Sequence, residues 1–153
     1  MEKSGRLLLL IEGYIMKKVS CFHKVKYYET DKMGIVHHSH YIRWMEEARL
    51  EFLRENGLTY KTLEENGVIS PVVSVSCRYK TPCGYDDDIR IDVSIKEYSG
   101  VKLVFEYEMT NIENGKCVAT GNSEHCFVSD KGKVIIFAKS HPQYDEILKN
   151  LIF

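Results

Sequence analysis

Between Ile89 and Met109 the chain alternates. Ile89, Ile91, Val93 and Ile95 are separated by Arg90, Asp92 and Ser94, and after a Ser99-Gly100 turn Val101, Leu103, Phe105, Tyr107 and Met109 repeat the pattern. Period two marks a strand with one buried and one wet face. Two such strands joined by a tight turn are antiparallel. Asn114-Gly115, a strong two-residue hairpin signal, leads into a further strand from Lys116 to Ser129. Asp130-Lys131-Gly132 then turns into Val134–Phe137, and Ile69 to Lys80 is a β-rich stretch ahead of them all. A sheet with a dry face must be covered.

One segment is built to cover it. Tyr41, Ile42, Met45, Ala48, Arg49, Phe52 and Leu53 recur at spacings of three and four, and Trp44 widens the stripe, which predicts a helix buried on more than one side. Ser39 is the expected N-cap and Asn56-Gly57 the stop. A short helix from Thr59 to about Glu65 follows, and a first strand precedes the long helix within residues 19–29. The order is strand, long helix, then four or more strands. It predicts an α+β fold in which a curved antiparallel sheet wraps one central helix.

The 153 residues suit a single domain, and 44% hydrophobic against 28% charged residues support an ordinary core. A net charge of −1 argues against nucleic acid or an anionic membrane as partner. Cys21, Cys77, Cys83, Cys117 and Cys126 form no CxxC pair, so neither a structural zinc nor a disulfide framework is indicated; reduced thiols in the cytoplasm are the simplest reading. The apolar run in RLLLLI, residues 6–11, is shorter than the roughly 7–15 residues of a secretory core and far below the ~20 of a membrane span. Met16, before Lys17 and Lys18, reads as a second start. We expect residues 1–15 to be an extension outside the fold, 16–140 the domain, and 141–153 a C-terminal tail.

Residues 28–49, YETDKMGIVHHSHYIRWMEEAR, carry the unusual chemistry. Asp31 lies in a polar turn, Gly34 follows three positions later, and His37, His38 and His40 crowd the helix start. By type alone, an aspartate in such a turn is ordinarily solvated, and these histidines ordinarily pack or face water. No acidic or cysteine cluster accompanies them, so no metal is expected. Cys83 has no evident base beside it. His125 reads as sheet packing, and Glu46, Glu47 and Arg49 as structural charges on the helix.

Taken together, Tyr28, Glu29, Thr30-Asp31, Gly34, His38, Tyr41 and Glu47-Ala48-Arg49 resemble the signature of the hotdog-fold acyl-CoA thioesterases, in the branch that includes 4-hydroxybenzoyl-CoA thioesterase. The likeness runs through Asp87-Asp88 to about Val128. It implies that Asp31 is the catalytic carboxylate, that His38 stands near the thioester, and that Gly34 shapes the turn between them. Glu29 departs from the pattern, standing where many relatives carry a second aspartate or a glycine. The resemblance also implies a homodimer or homotetramer with the site at a shared boundary, and no cofactor.

Thioester hydrolysis needs a group that delivers oxygen and a positive end that receives charge on the carbonyl oxygen. Asp31 suits the first task, either as a base toward water or as a direct nucleophile. Backbone N–H groups near His38 and Ser39, at the positive end of the helix dipole, suit the second. The expected activity is therefore hydrolysis of an acyl-CoA, or an acyl carrier protein thioester, to a free acid and the thiol. An acyl-CoA or acyl-carrier-protein binding protein of the same fold with little turnover is the alternative.

Overall fold

A computed structural model describes residues 16–152. The expected extension, residues 1–15, lies outside the described residues. Strand β1 (Lys18–Lys24) comes first, then a single 3-10 turn (Tyr27–Glu29), the long helix α1 (Ser39–Glu55) and the short helix α2 (Tyr60–Glu65). Strands β2 (Val68–Ile69), β3 (Val72–Tyr79), β4 (Asp88–Tyr98), β5 (Leu103–Asn111), β6 (Cys117–His125) and β7 (Val128–Ser129) follow. Helices α3 (Phe137–Ser140) and α4 (Pro142–Asn150) end the chain. The main sheet has the order β1-β4-β5-β6-β3 with every neighbouring pair antiparallel, and β2 pairs with β7 apart from it. This is the α+β hotdog architecture, with α1 held in the curve of the sheet.

The alternation does what period two dictates. Ile89, Ile91, Val93 and Ile95 on β4, with Leu103, Phe105, Tyr107 and Met109 on β5, are all buried. Facing them, α1 buries Tyr41, Trp44, Met45, Ala48, Phe52 and Leu53. Each large apolar side chain among these is worth about 1.5–3 kcal/mol of transfer free energy. Ile42, which the spacing also put in the stripe, faces outward and is exposed.

Some boundaries differ from the sequence reading. The first strand stops at Lys24, where the chain leaves for the 3-10 turn. The expected strand 116–129 is two, β6 and β7, and the stretch 69–80 is likewise two, β2 and β3. Val134 makes only an isolated bridge to Val128, and Phe137 opens a helix rather than closing a strand. Residues 137–152 put Phe137, Tyr144, Leu148 and Leu151 into the core, with Phe137 stacked 4.2 Å from Phe127. Ile152 bridges Ile95 in parallel.

At Gly121 on β6 the sheet leaves room for a side chain of the helix. A Cβ there would overlap the end of Met45 on α1 and stand 2.7 Å from the Ser76 carbonyl of β3. Met45 could swing aside, but the Ser76 backbone could not. Gly121→Ala should cost about 1–3 kcal/mol by overpacking, read as a lower urea midpoint at unchanged m-value.

A polar run crosses the same core. Arg49 donates from Nη1 to the Tyr107 hydroxyl (3.1 Å) and from Nε to the Tyr60 hydroxyl (3.3 Å). Tyr107 meets Ser123 Oγ at 2.6 Å, and Ser123 meets His125 Nε2 at 2.7 Å. His125 Nδ1 has no hydrogen-bond partner among the described residues. Burial, reinforced by the Arg49 charge, pushes the His125 imidazole from its ordinary 6.5 down to about 4. The unfolded chain therefore binds more protons between those values, so stability rises with pH across that window. It is fully present above about 6.5 and is lost as the pH falls through about 4, by a term on the order of 3 kcal/mol. Urea unfolding at pH 7.5, 5.5 and 4 should show this slope, and His125→Gln should lack that part of it.

Candidate active site

The site is built on a narrow loop. Thr30 bridges Val36, the Asp31 N–H donates to the Ile35 carbonyl (2.9 Å), and the Gly34 N–H donates to the Asp31 carbonyl (3.0 Å). Gly34 has φ +77 and open space where a Cβ would go, so its turn needs glycine for backbone angle and not for close approach. Close approach belongs to Gly84, whose Cβ would stand 3.1 Å from the Gly34 carbonyl. Val36 N–H donates to the Cys83 carbonyl, and Ile35 bridges Gly84. The loop is thus pinned to the segment ahead of β4.

Asp31 is half-buried at this loop. Its Oδ1 accepts from the Met33 N–H at 2.8 Å, a bond within its own turn that orients the carboxylate. The Oδ2 atom has no hydrogen-bond partner among the described residues.

Helix α1 begins at Ser39 itself. His38 is the residue ahead of the first turn, and its own side chain makes no capping bond. The expected N-cap role of Ser39 is therefore not taken: its hydroxyl is turned to His37 Nδ1 (2.8 Å), and its own N–H points at that nitrogen (3.3 Å). The His38 N–H has no acceptor among the described residues. An uncapped helix end leaves such N–H groups for a ligand. The His38 carbonyl accepts from the Tyr79 hydroxyl at 2.9 Å, which anchors the helix start to the end of β3.

Asp31 and His38 line one cavity of about 220 Å³, together with Ile35, Tyr41, Tyr79 and Pro82. Three rings, His38, Tyr41 and Tyr79, meet in its wall. Tyr41 meets Tyr79 edge-on at 5.1 Å, and His38 meets Tyr79 at 6.3 Å. The Tyr41 hydroxyl is 3.3 Å from Cys83 Sγ, and burial pushes both the phenol and the thiol up, so neither is a ready nucleophile. Gly34 and Ser39 flank this cavity through the loop and the helix start rather than lining it. Among the described residues no group of His, Cys, Asp and Glu is arranged to hold a metal ion, and no helix is long and apolar enough to cross a membrane.

Residues 25–151 match the thioesterase-like superfamily. The chain belongs to that superfamily. It is a hotdog-fold thioester hydrolase. A DHNA-CoA thioesterase from Staphylococcus aureus superposes with a TM-score of 0.84 at 31% identity, over 89% of this chain and 91% of that one. The acyl-CoA thioester hydrolase YbgC of Escherichia coli O157:H7 is 33% identical over 91 residues, 60% of this chain and 68% of its own. The 4-hydroxybenzoyl-CoA thioesterase of Pseudomonas sp. (strain CBS-3) superposes with a TM-score of 0.76 at 22% identity, over 86% of this chain and 99% of that one, a likeness of fold alone.

Sequence reasoning did not find Tyr79, Gly84 or the structural use of Glu29. Tyr79 ends an exposed strand, and Gly84 sits in a loop; neither carries a periodic signal. Glu29 is buried, and its hydrogen bonds are to partners on β1 and α1 that only the fold brings near. Replacing Gly34 tests the thioesterase loop directly. Gly34→Ala must hold a left-handed angle, at about 1–2 kcal/mol. It should lower thioester turnover more than a substitution at exposed Lys32, as measured by steady-state kinetics beside thermal unfolding.

Proposed function

We propose that this thioesterase hydrolyses acyl-CoA thioesters, with Asp31 as the reacting carboxylate and the amides at the start of α1 as the oxyanion site. The observation that carries the reading is the single cavity shared by Asp31 and His38. A thioester carbonyl set in it would have the Asp31 carboxylate on one side and the His38 N–H, at the positive end of α1, on the other. As a base, Asp31 takes a proton from water as the water oxygen bonds to the carbonyl carbon. The tetrahedral intermediate then breaks its C–S bond, and the departing thiolate recovers a proton. As a nucleophile, Asp31 bonds to the carbonyl carbon itself, expels the thiolate and forms a mixed anhydride that water opens. Either route uses the same geometry. The His38 side chain, against Tyr79, is assigned to the thioester end of the cavity, and Gly34 and Ser39 shape its rim.

The unit that works is proposed to be a pair of chains. Among the described residues β3 is an edge strand with one side unpaired, and Val72, Val73, Val75 and Tyr79 on it are exposed. Such an edge is a liability unless covered. Pairing two copies along β3 would extend the sheet and bring a second chain beside Tyr79 and the cavity.

Thiol release from a panel of acyl-CoA and acyl carrier protein thioesters tests the reading. Wild type should release thiol from acyl-CoA, and Asp31→Asn should lose about 10²–10⁴ of kcat with its fold and oligomeric state unchanged. An Asp31→Asn protein as active as wild type would remove Asp31 from the chemistry.

A further inference from the structure

Glu29 is buried to 4% exposure, and the hydrolysis scheme gives it no part. Its Oε1 accepts from His23 Nε2 and from the Lys26 N–H, each at 2.7 Å; its Oε2 accepts from the Trp44 indole Nε1–H, also at 2.7 Å. A carboxylate only accepts, so the facing His23 nitrogen carries the proton. His40 Nδ1 stands 3.9 Å from Oε2. The Glu29 backbone carbonyl accepts from the His37 N–H at 2.9 Å. A buried carboxylate is costly unless its oxygens are paired. Burial alone would push its pKa up, but the bonds from Lys26, His23 and Trp44 outweigh that and hold it below the ordinary range.

These partners come from separate pieces of the fold. His23 is on β1, Lys26 precedes the 3-10 turn, and Trp44 is on the second turn of α1. Two residues after Glu29 comes Asp31, with Thr30 between them already bridged to Val36. Among the described residues, the side-chain hydrogen bond that joins this stretch to α1 is the one from Trp44 to Glu29 Oε2.

We propose that Glu29 is a positioning residue: its carboxylate fastens α1 to the loop that carries Asp31 and so sets the reach from the Asp31 carboxylate to the helix-start amides. The proposal rests on the reading of Asp31 given above. Misplacing a reacting group by about 1 Å costs about a hundredfold in rate. Loss of the tie should therefore fall mainly on kcat and move KM little, because the Tyr79 to Pro82 side of the cavity does not depend on it.

The chain holds a single tryptophan, which makes the tie visible. The Trp44 indole N–H gives one resonance, slow to exchange while Glu29 holds it. The experiment compares wild type with Glu29→Ala, Glu29→Gln and Trp44→Phe, all in the full chain. Amide exchange is followed at Asp31 and His37, with β5 and β6 as internal controls, and acyl-CoA hydrolysis is measured in parallel. Glu29→Ala should speed exchange at Asp31 and His37 by at least about tenfold with the strands unchanged, and lower kcat by at least about tenfold with KM within about threefold. Glu29→Gln, keeping one acceptor oxygen, should fall between it and wild type. Trp44→Phe, which removes only the α1 donor, should lower kcat in the same sense and carries the test if Glu29→Ala does not fold. Unchanged exchange at Asp31 and His37, or unchanged kcat in folded variants that have lost the indole bond, would overturn the proposal. If wild type and Asp31→Asn are equally inert while Glu29→Ala still frees those two amides, the tie stands and the assignment of Asp31 fails.

Discussion

Everything in this fold depends on how closely α1 can lie in the curve of the sheet. The helix must bury Trp44, Met45, Phe52 and their neighbours, and the sheet has one dry face to receive them. Contact is made possible at Gly121, the point where β6 has no side chain and Met45 fills the space next to the Ser76 carbonyl. With the helix axis set there, its first turn falls beside the end of β3, where Tyr79 grips the His38 carbonyl. The cavity at that end follows from packing decisions made a helix turn or more away.

Two buried charges show how the core tolerates polarity. Among the described residues Arg49 is met by tyrosine hydroxyls and by no carboxylate, and Glu29 by an indole, an imidazole and a backbone amide. A lone buried ion is expensive, and each of these is made tolerable by several directed hydrogen bonds. The consequences differ. The Arg49 run crosses the interior between α1, β5 and β6, and its charge helps keep His125 neutral. Glu29 sits at the joint between a loop and a helix, where the same physics fixes a relative position.

Much of the architecture was legible because it is written in period. The β4 and β5 alternation and the three-four spacing of α1 give the sheet, the helix and their facing sides, and Asn56-Gly57 and Asn114-Gly115 end elements where glycine takes a positive φ. The candidate site was legible for a different reason: Asp31, Gly34 and His38 lie within eight residues and belong to a recognisable signature. What stayed hidden depends on contacts distant in sequence. Ile42 fits the helical stripe but lies at its edge, where the sheet does not reach. Ser39 looks like a cap by residue type, yet His37 two positions back competes for its hydroxyl. Residues 141–153 look like a tail because Tyr144 finds Phe137, and Asp145 the Tyr98 hydroxyl, only in the folded chain.

The proposed chemistry draws on a short segment, residues 29–41, which also supplies one side of the cavity, while Tyr79 to Pro82 supply the other. Asp31 and the helix start are tied by Glu29, Gly34 and the Thr30–Val36 bridge, all local to one loop. Tyr79 and Pro82 come from the end of β3 and the loop after it. On the proposed chemistry, a change on the β3 side of the cavity would leave the Glu29–Trp44 tie in place, because neither of those side chains lines it. Tyr79 on that side is both wall and anchor, bonding the His38 carbonyl through its hydroxyl while offering its ring to the cavity. A phenylalanine there keeps the wall and loses the anchor, so it would separate the two roles within one side chain.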